Sequence, residues 1–474
     1  MENLEEYTMD IKAKIYEWID AHEREYVEDV KRLVAVKSVK GPAEPGKPYG
    51  PGPAAALAAA AEMCEGYGFS VKNYENHAVT ADMNACEPGV DILAHMDVVG
   101  EGDGWDTDPY VATEKDGILY GRGTSDDKGP AVAALYAMRA LKELGVPLTK
   151  NVRLILGADE ESGSQDMVYY YSKEKPAPGT FSPDAAFPIF NTEKGRYAPF
   201  FNKAWEAETV LPRVKSFDGG IVVNILPADA SAVVAGVAAA DVEAVCAKLA
   251  EELKVSYTVA AEGEDVKVSV KGVGCHASMP ALGVNGITAL ITILAALPLA
   301  DCDSTKAILG LNKLFPHGDG EGKAMGVAMK DELSGPLTMA LTVFHINENG
   351  ADGAIDCRAS VCATEENCRQ VGDKNLTDAG FEVKSFMNPP HHTPADTPFV
   401  QALLSAYEEV TGEKGGCYSM GGGTYVHGIE GGVAFGAGFM GFDGGAHGAN
   451  EKMKISDMIK ATKVYAMSIY NICK

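Results

Sequence analysis

No two cysteines stand in a C-x-x-C arrangement, although the chain holds ten of them. Scattered single thiols exclude a zinc ribbon and, in a chain of this length, read as reduced and mostly buried in a cytosol. Long apolar runs are missing as well: the greasiest stretch, 287–300, is too short to cross a bilayer, which takes about 20 apolar residues. The opening Met1-Glu2-Asn3-Leu4-Glu5-Glu6 lacks the basic start and apolar centre of a signal peptide, so a cytoplasmic protein is expected. Positive charge is scarce, 41 Lys and Arg against 67 Asp and Glu, a net charge of −26. That balance argues against nucleic acid or an anionic membrane as a partner. Internal repeats and low-complexity tracts are absent, and 46% hydrophobic with 23% charged residues is the make-up of a soluble globular protein.

What is there is enough chain, 474 residues, for two or more domains. Helical spacing marks the first forty residues through Ile11, Ile15, Trp18, Val27, Val30, Leu33 and Val34, and a Gly/Pro-rich loop at 41–53 precedes a helix over 54–65. Strand-like runs at 91–99, 117–120, 151–156 and 185–190 then alternate with helices near 130–144 and 167–173. This rhythm predicts an α/β domain with helices around a largely parallel sheet, whose sites form at the carboxyl ends of strands. After about Gly195 the texture becomes α+β: helices at 241–253, 285–297 and 365–376, strands at 255–260, 265–270 and 381–386, and a strand pair, 337–346 and 354–361, joined through Asn349-Gly350. From Thr397 the first texture resumes, with a helix to Thr411, a strand at 433–435 and a closing helix from Ile455. The expected organisation is one domain, 1–195 and 385–474, interrupted by a second, 196–384.

Several chemically loaded motifs lie at predicted strand ends. In His95-Met96-Asp97 the two polar residues share a face of an extended strand: either His95 is a metal ligand oriented by Asp97, or the pair is a buried histidine and a loop aspartate. Asp126-Asp127 precedes a helix, where one aspartate could serve as an N-cap; the second stays unexplained unless a cation relieves their repulsion. Asp159-Glu160-Glu161 ends a strand, so one glutamate can hold metal while the other faces substrate as a proton carrier; an acidic solvated turn is the plain alternative. His447 sits among glycines in Gly444-Gly445-Ala446-His447-Gly448, which lets backbone approach a ligand closely, or is a loop histidine without a role. His276, in Gly274-Cys275-His276-Ala277-Ser278-Met279-Pro280, has the same two readings. Gly421-Gly422-Gly423-Thr424 lacks the lysine of a phosphate loop, but its backbone N–H groups could bind a carboxylate.

In order, the segments HMDVV, GRGTSDDKG, DEESG, PDA, CHASMP, GGGTY and AHGANE cover about residues 90–451. Together they resemble the zinc-dependent peptidases and deacylases related to carboxypeptidase G, aminoacylase and carnosinase. The early Tyr49-Gly50-Pro51-Gly52-Pro53, with Phe187-Pro188 and Glu193-Lys194-Gly195, is most similar to the bacterial dipeptidase V branch. The resemblance implies a di-zinc catalytic domain with an inserted lid. It makes Asp126 the bridge between two zinc ions, with His95 and Asp184 completing one and Glu161 and His447 the other; manganese or cobalt would be substitutes. Glu160 would be the general base and Asp97 the residue that orients His95. His276 and Asn224 would steady an oxyanion, and Arg358, helped by Gly422, Gly423 and Thr424, would hold a terminal carboxylate. A cis peptide after Asp126 is implied too. Two departures stand out: Val99-Gly100 where relatives often carry proline, and His427 where an arginine is frequent, the latter bearing on the carboxylate end.

The implied activity is hydrolysis of unblocked dipeptides or small amino-acid amides through a hydroxide shared by two metal ions. An N-acyl amino acid deacylase, of the acetyl- or succinyl-diamino acid type, is the alternative. A third reading is an inactive metal-containing binding protein; the presence of both Glu160 and Asp97 speaks against it, since a binder needs no proton carrier. A monomer or a homodimer is expected.

Overall fold

The strand–helix alternation of the first 190 residues builds a mixed sheet whose centre is parallel. The computed structural model describes residues 2–474. Across this sheet the order is Ser70–Tyr74, Ala78–Asp82, Asn151–Gly157, Pro88–His95, Gly179–Ser182, Val433–Ala434, Ile189–Glu193, His391–His392. Pro88–His95 runs parallel to both its neighbours, and Val433–Ala434 runs parallel to Gly179–Ser182. The hairpin at one margin pairs antiparallel, as does Ile189–Glu193 with Val433–Ala434 toward the other. A largely parallel sheet is therefore correct for the four central strands and not for the margins.

The parallel strands are buried along almost their whole length, as their Val, Ile, Leu and Ala runs require when helices cover both faces. The helix Lys128–Glu143 is buried on every side from Lys128 to Leu141; its many alanines let neighbours approach all round. Ile455–Cys473, expected as the closing helix, packs against it with Met458, Val464 and Ile469 buried. The expected first helix is two, Glu2–Ala21 and Glu23–Val34, and Ile11, Ile15, Val27, Val30, Leu33 and Val34 all lie in the core.

Chain contacts divide the molecule into two units: 1–192 with 392–419 and 423–474, and 193–391 with 420–422. The second unit is an inserted α+β body around an eight-stranded sheet, antiparallel in every neighbouring pair. Its chain returns at 391 rather than at the expected 384 because Glu382–Asn388 pairs with Gly195–Ala204 in this sheet. The helix expected over 365–376 is a π turn, Glu365–Arg369, capped by Thr364 and Asn367, followed by the α-helix Gln370–Asp378. Among the described residues, no helix is long and apolar enough to cross a membrane.

Candidate metal centre

Three of the parallel strands deliver acidic or imidazole side chains from their carboxyl ends. His95 is the last residue of its strand and is fully buried. Its Nδ1 lies 3.0 Å from the carbonyl oxygen of Asp97. A carbonyl only accepts, so Nδ1 carries a hydrogen; Nε2, turned into the site, donates to Asp126 in the metal-free protein and is the atom that would bind a cation once deprotonated. That Nε2 stands 2.9 Å from Asp126 Oδ1 and 3.8 Å from Asp184 Oδ2. The Asp97 carboxylate is farther from the ring, at 3.5 Å; it accepts the backbone N–H groups of Glu160 and Glu161, each at 3.2 Å. So Asp97 orients the ring through its backbone and the glutamate turn through its side chain.

Asp126 and Asp127 are joined by a cis peptide. Asp127 occupies the N-cap position of Lys128–Glu143 without a side-chain capping bond; its Oδ2 accepts the N–H of His95 at 3.1 Å. The capping reading is thereby excluded for it. Asp126 faces two imidazoles at once, His95 through Oδ1 and, through Oδ2, the Nε2 of His447 at 3.0 Å. The same His447 nitrogen lies 3.0 Å from Glu161 Oε2. Two sets of ligand atoms, those of His95, Asp126 and Glu161 and those of His95, Glu160 and Asp184, each fall within 4.8 Å of one another.

The electrostatics of the metal-free centre are those of a site short of positive charge. Burial works against an ionised Asp126, yet hydrogen bonds from His447 and His95 hold its carboxyl below the usual range. Those to Asp126 and Glu161 push the His447 imidazole up to about 10. Burial, then the charges of Asp126 and Asp127, drives Asp184 up, and burial with Glu161 nearby does the same to Glu160. The donor set fits divalent cations: only oxygen and imidazole nitrogen, rich in carboxylate, with one aspartate whose two oxygens face different imidazoles.

Residues 92–471 match the model of the family described as Peptidase family M20/M25/M40. The chain belongs to this family. Among curated relatives of this peptidase, it is 33% identical over 457 residues to the putative dipeptidase YtjP of Bacillus subtilis (strain 168), covering 94% of this chain and 97% of that one. It is 34% identical over 487 residues to the Beta-Ala-Xaa dipeptidase of Lactobacillus delbrueckii subsp. lactis, covering 98% and 99%. Human carnosine dipeptidase 1 shares the fold, with a TM-score of 0.60 at 18% identity over 97% of this chain and 99% of that one.

The peptidase also contains functional support that motif reading missed. Asp166, fully buried, accepts the N–H groups of Ala158 and Asp159 at 2.6 and 2.9 Å and a short hydrogen bond from the Tyr425 hydroxyl. A methyl group on Gly157 would run into both partners, so this glycine makes room for the brace under the glutamate turn. Lys40 pairs with buried Asp159 at 2.5 Å. Glu451 and Arg122, both buried and 2.6 Å apart, link the last motif to the GRGTSDDKG segment.

In the inserted unit, His276 Nδ1 lies 2.6 Å from Ser278 Oγ, and the carbonyl of Asn224 accepts the N–H of Ala277 at 2.9 Å. The Arg358 guanidinium is bidentate to buried Asp356, at 2.7 and 3.0 Å, and donates to the carbonyl of Gly421 at 2.8 Å. Gly422 belongs to this unit, whereas Gly423 and Thr424 belong to the first. Thr424 caps the short 3₁₀ turn Tyr425–Gly428.

Proposed function

We propose that this protein is a di-zinc dipeptidase acting on unblocked dipeptides in a reducing, cytosolic compartment. One observation carries the reading: Asp126 presents each carboxylate oxygen to a different imidazole, with Glu161 beside one and Asp184 beside the other. His95, Asp126 and Asp184 would hold one ion and Asp126, Glu161 and His447 the second, with manganese or cobalt as substitutes. Ions so held supply Lewis acidity to a peptide carbonyl and lower the pKa of water toward roughly 7.

Glu160 takes the proton from the attacking water and passes it to the departing amine nitrogen. Asp97 fixes the direction of Glu160 by holding its backbone N–H. In the inserted unit the same reading gives His276 and Asn224 a part in steadying the oxyanion, worth on the order of 10²–10³ in rate per donor. It gives Arg358, with the amides of Gly422, Gly423 and Thr424, the terminal carboxylate; Asp356 pre-orients that guanidinium. The 34% identity over 98% of this chain to a Beta-Ala-Xaa dipeptidase supports a two-residue substrate. Ten free cysteines support a reducing compartment.

The test is a panel of dipeptides, tripeptides and N-acyl amino acids, assayed with and without chelator and with zinc content measured. Release of amine from unmodified dipeptides, abolished by chelator and restored by zinc, is expected. Preferential cleavage of acyl amino acids would replace this reading with a deacylase. Tight dipeptide binding without turnover in zinc-loaded protein would leave a binding protein.

A further inference from the structure

We propose that Glu451 is a positioning residue that fixes the spacing between Asp126 and His447; this rests on both being metal ligands. His447 comes from a glycine-rich loop, its side chain is 52% exposed, and its backbone is in the left-handed region at φ +64. Packing therefore does little to place it. What places it is the chain on either side, anchored on the segment that carries Asp126.

Glu451 forms most of that anchor. It is fully buried, and its Oε1 accepts the N–H groups of Gly123 and Ser125 at 3.0 Å, that of Asp126 at 3.2 Å and the Ser125 hydroxyl at 3.1 Å. Oε2 stands 2.6 Å from Nη1 of buried Arg122, which donates through Nη2 to Gly100 at 3.2 Å. The backbone carbonyl of Glu451 accepts from Gly121 at 2.9 Å. At the other end of the loop, a Cβ on Gly444 would lie 3.1 Å from the Ser125 side chain, so only glycine sits there without displacing it. Lys452 donates to the Gly444 carbonyl at 2.8 Å, closing the loop on itself.

One carboxylate, paired with the Arg122 guanidinium, thus orders both the N–H of Asp126 and the chain four residues from His447. A charge-assisted hydrogen bond such as that from Arg122 is roughly twice as strong as a neutral one, and four further hydrogen bonds converge on the same carboxylate. The 3.0 Å between Asp126 Oδ2 and His447 Nε2 is set by this clamp. Residues that orient ligands without touching metal typically change its affinity about 10–100-fold.

The test is zinc titration of the metal-free full-length protein by equilibrium dialysis, on wild type and Glu451→Gln. The variant keeps an acceptor for the amides but turns an NH₂ toward Arg122. Wild type is expected to take up two zinc ions per chain. Glu451→Gln should bind one of them at least about 10-fold more weakly, and excess zinc should restore its kcat with KM unchanged. Should Glu451→Gln not fold, Glu451→Asp, which keeps the charge but shortens the reach, should show the same loss. Either variant, folded and taking up both ions with wild-type affinity, overturns the proposal, even if its metal-free form melts at a lower temperature. No zinc uptake by wild type would instead remove the metal reading itself.

Discussion

Glu160 differs from its neighbour Glu161 by one residue and in chemical situation. Glu161 faces His447 at 3.0 Å, whereas burial and the surrounding carboxylates hold Glu160 toward its protonated form in the metal-free protein. Replacing Glu160 by alanine is expected to lower kcat at least about 10²-fold with zinc content unchanged, the signature of a lost proton carrier; turnover near wild type would strip it of that role. At this scale, motif order along the chain and resemblance made the proposed ligands legible. The brace beneath them was not. Asp97 was singled out beside His95, but its side chain, like those of Glu451 and Asp166, acts on backbone N–H groups, which every residue but proline offers, so no letter in the sequence marks their partners. Tyr425 and Glu451 gave a partial signal, since they end the GGGTY and AHGANE segments, but nothing tied Tyr425 to Asp166 or Glu451 to Asp126.

The strand Pro88–His95 carries a buried charge that a β-run does not ask for. Asp91 is 1% exposed, accepts the N–H of Ala177 at 2.8 Å, and is driven by burial up to about 6 from an ordinary 3.8. The folded state therefore holds this proton more tightly than the unfolded chain. The stabilisation is complete below about pH 4 and disappears as pH rises through about 6, a swing of at most about 3 kcal/mol. Asp91→Asn keeps the acceptor without the charge, so it should be more stable than wild type at pH 8 by about 1–3 kcal/mol. The gap should close as pH falls toward 4. Urea unfolding at a series of pH values measures it, and a gap independent of pH would contradict the assignment. Long buried strands and Ala- or Leu-rich helices were readable at this scale because burial on both sides leaves an unbroken apolar run. The hairpin Ser70–Tyr74 and Ala78–Asp82 was missed: its first strand has one buried residue in five and reads as a polar loop.

Over the whole molecule, all five proposed ligands belong to the first unit and none to the inserted one. A ligand that binds only the folded state adds about 2.7 kcal/mol at a free concentration one hundred times its Kd. Chelation should accordingly lower the melting transition of the first unit and leave that of the inserted unit in place, as read by calorimetry. Identical traces with and without chelator would mean that folding and metal are not linked. Two domains with an insertion were legible from the change in texture near Gly195, but the return point was not, because Glu382–Asn388 completes a sheet whose other strands lie far back in the sequence. That arrangement has a consequence for biosynthesis. His95, Asp126, Glu160, Glu161 and Asp184 all leave the ribosome before the roughly 200 residues of the inserted unit, and His447 after it. Domains fold largely as units during translation, so the insertion can finish before His447, the last of the proposed ligands, has been made. On the proposed ligand set, a growing chain of this peptidase would lack a complete metal centre, and with it the hydrolysis of short peptides, until His447 has been made.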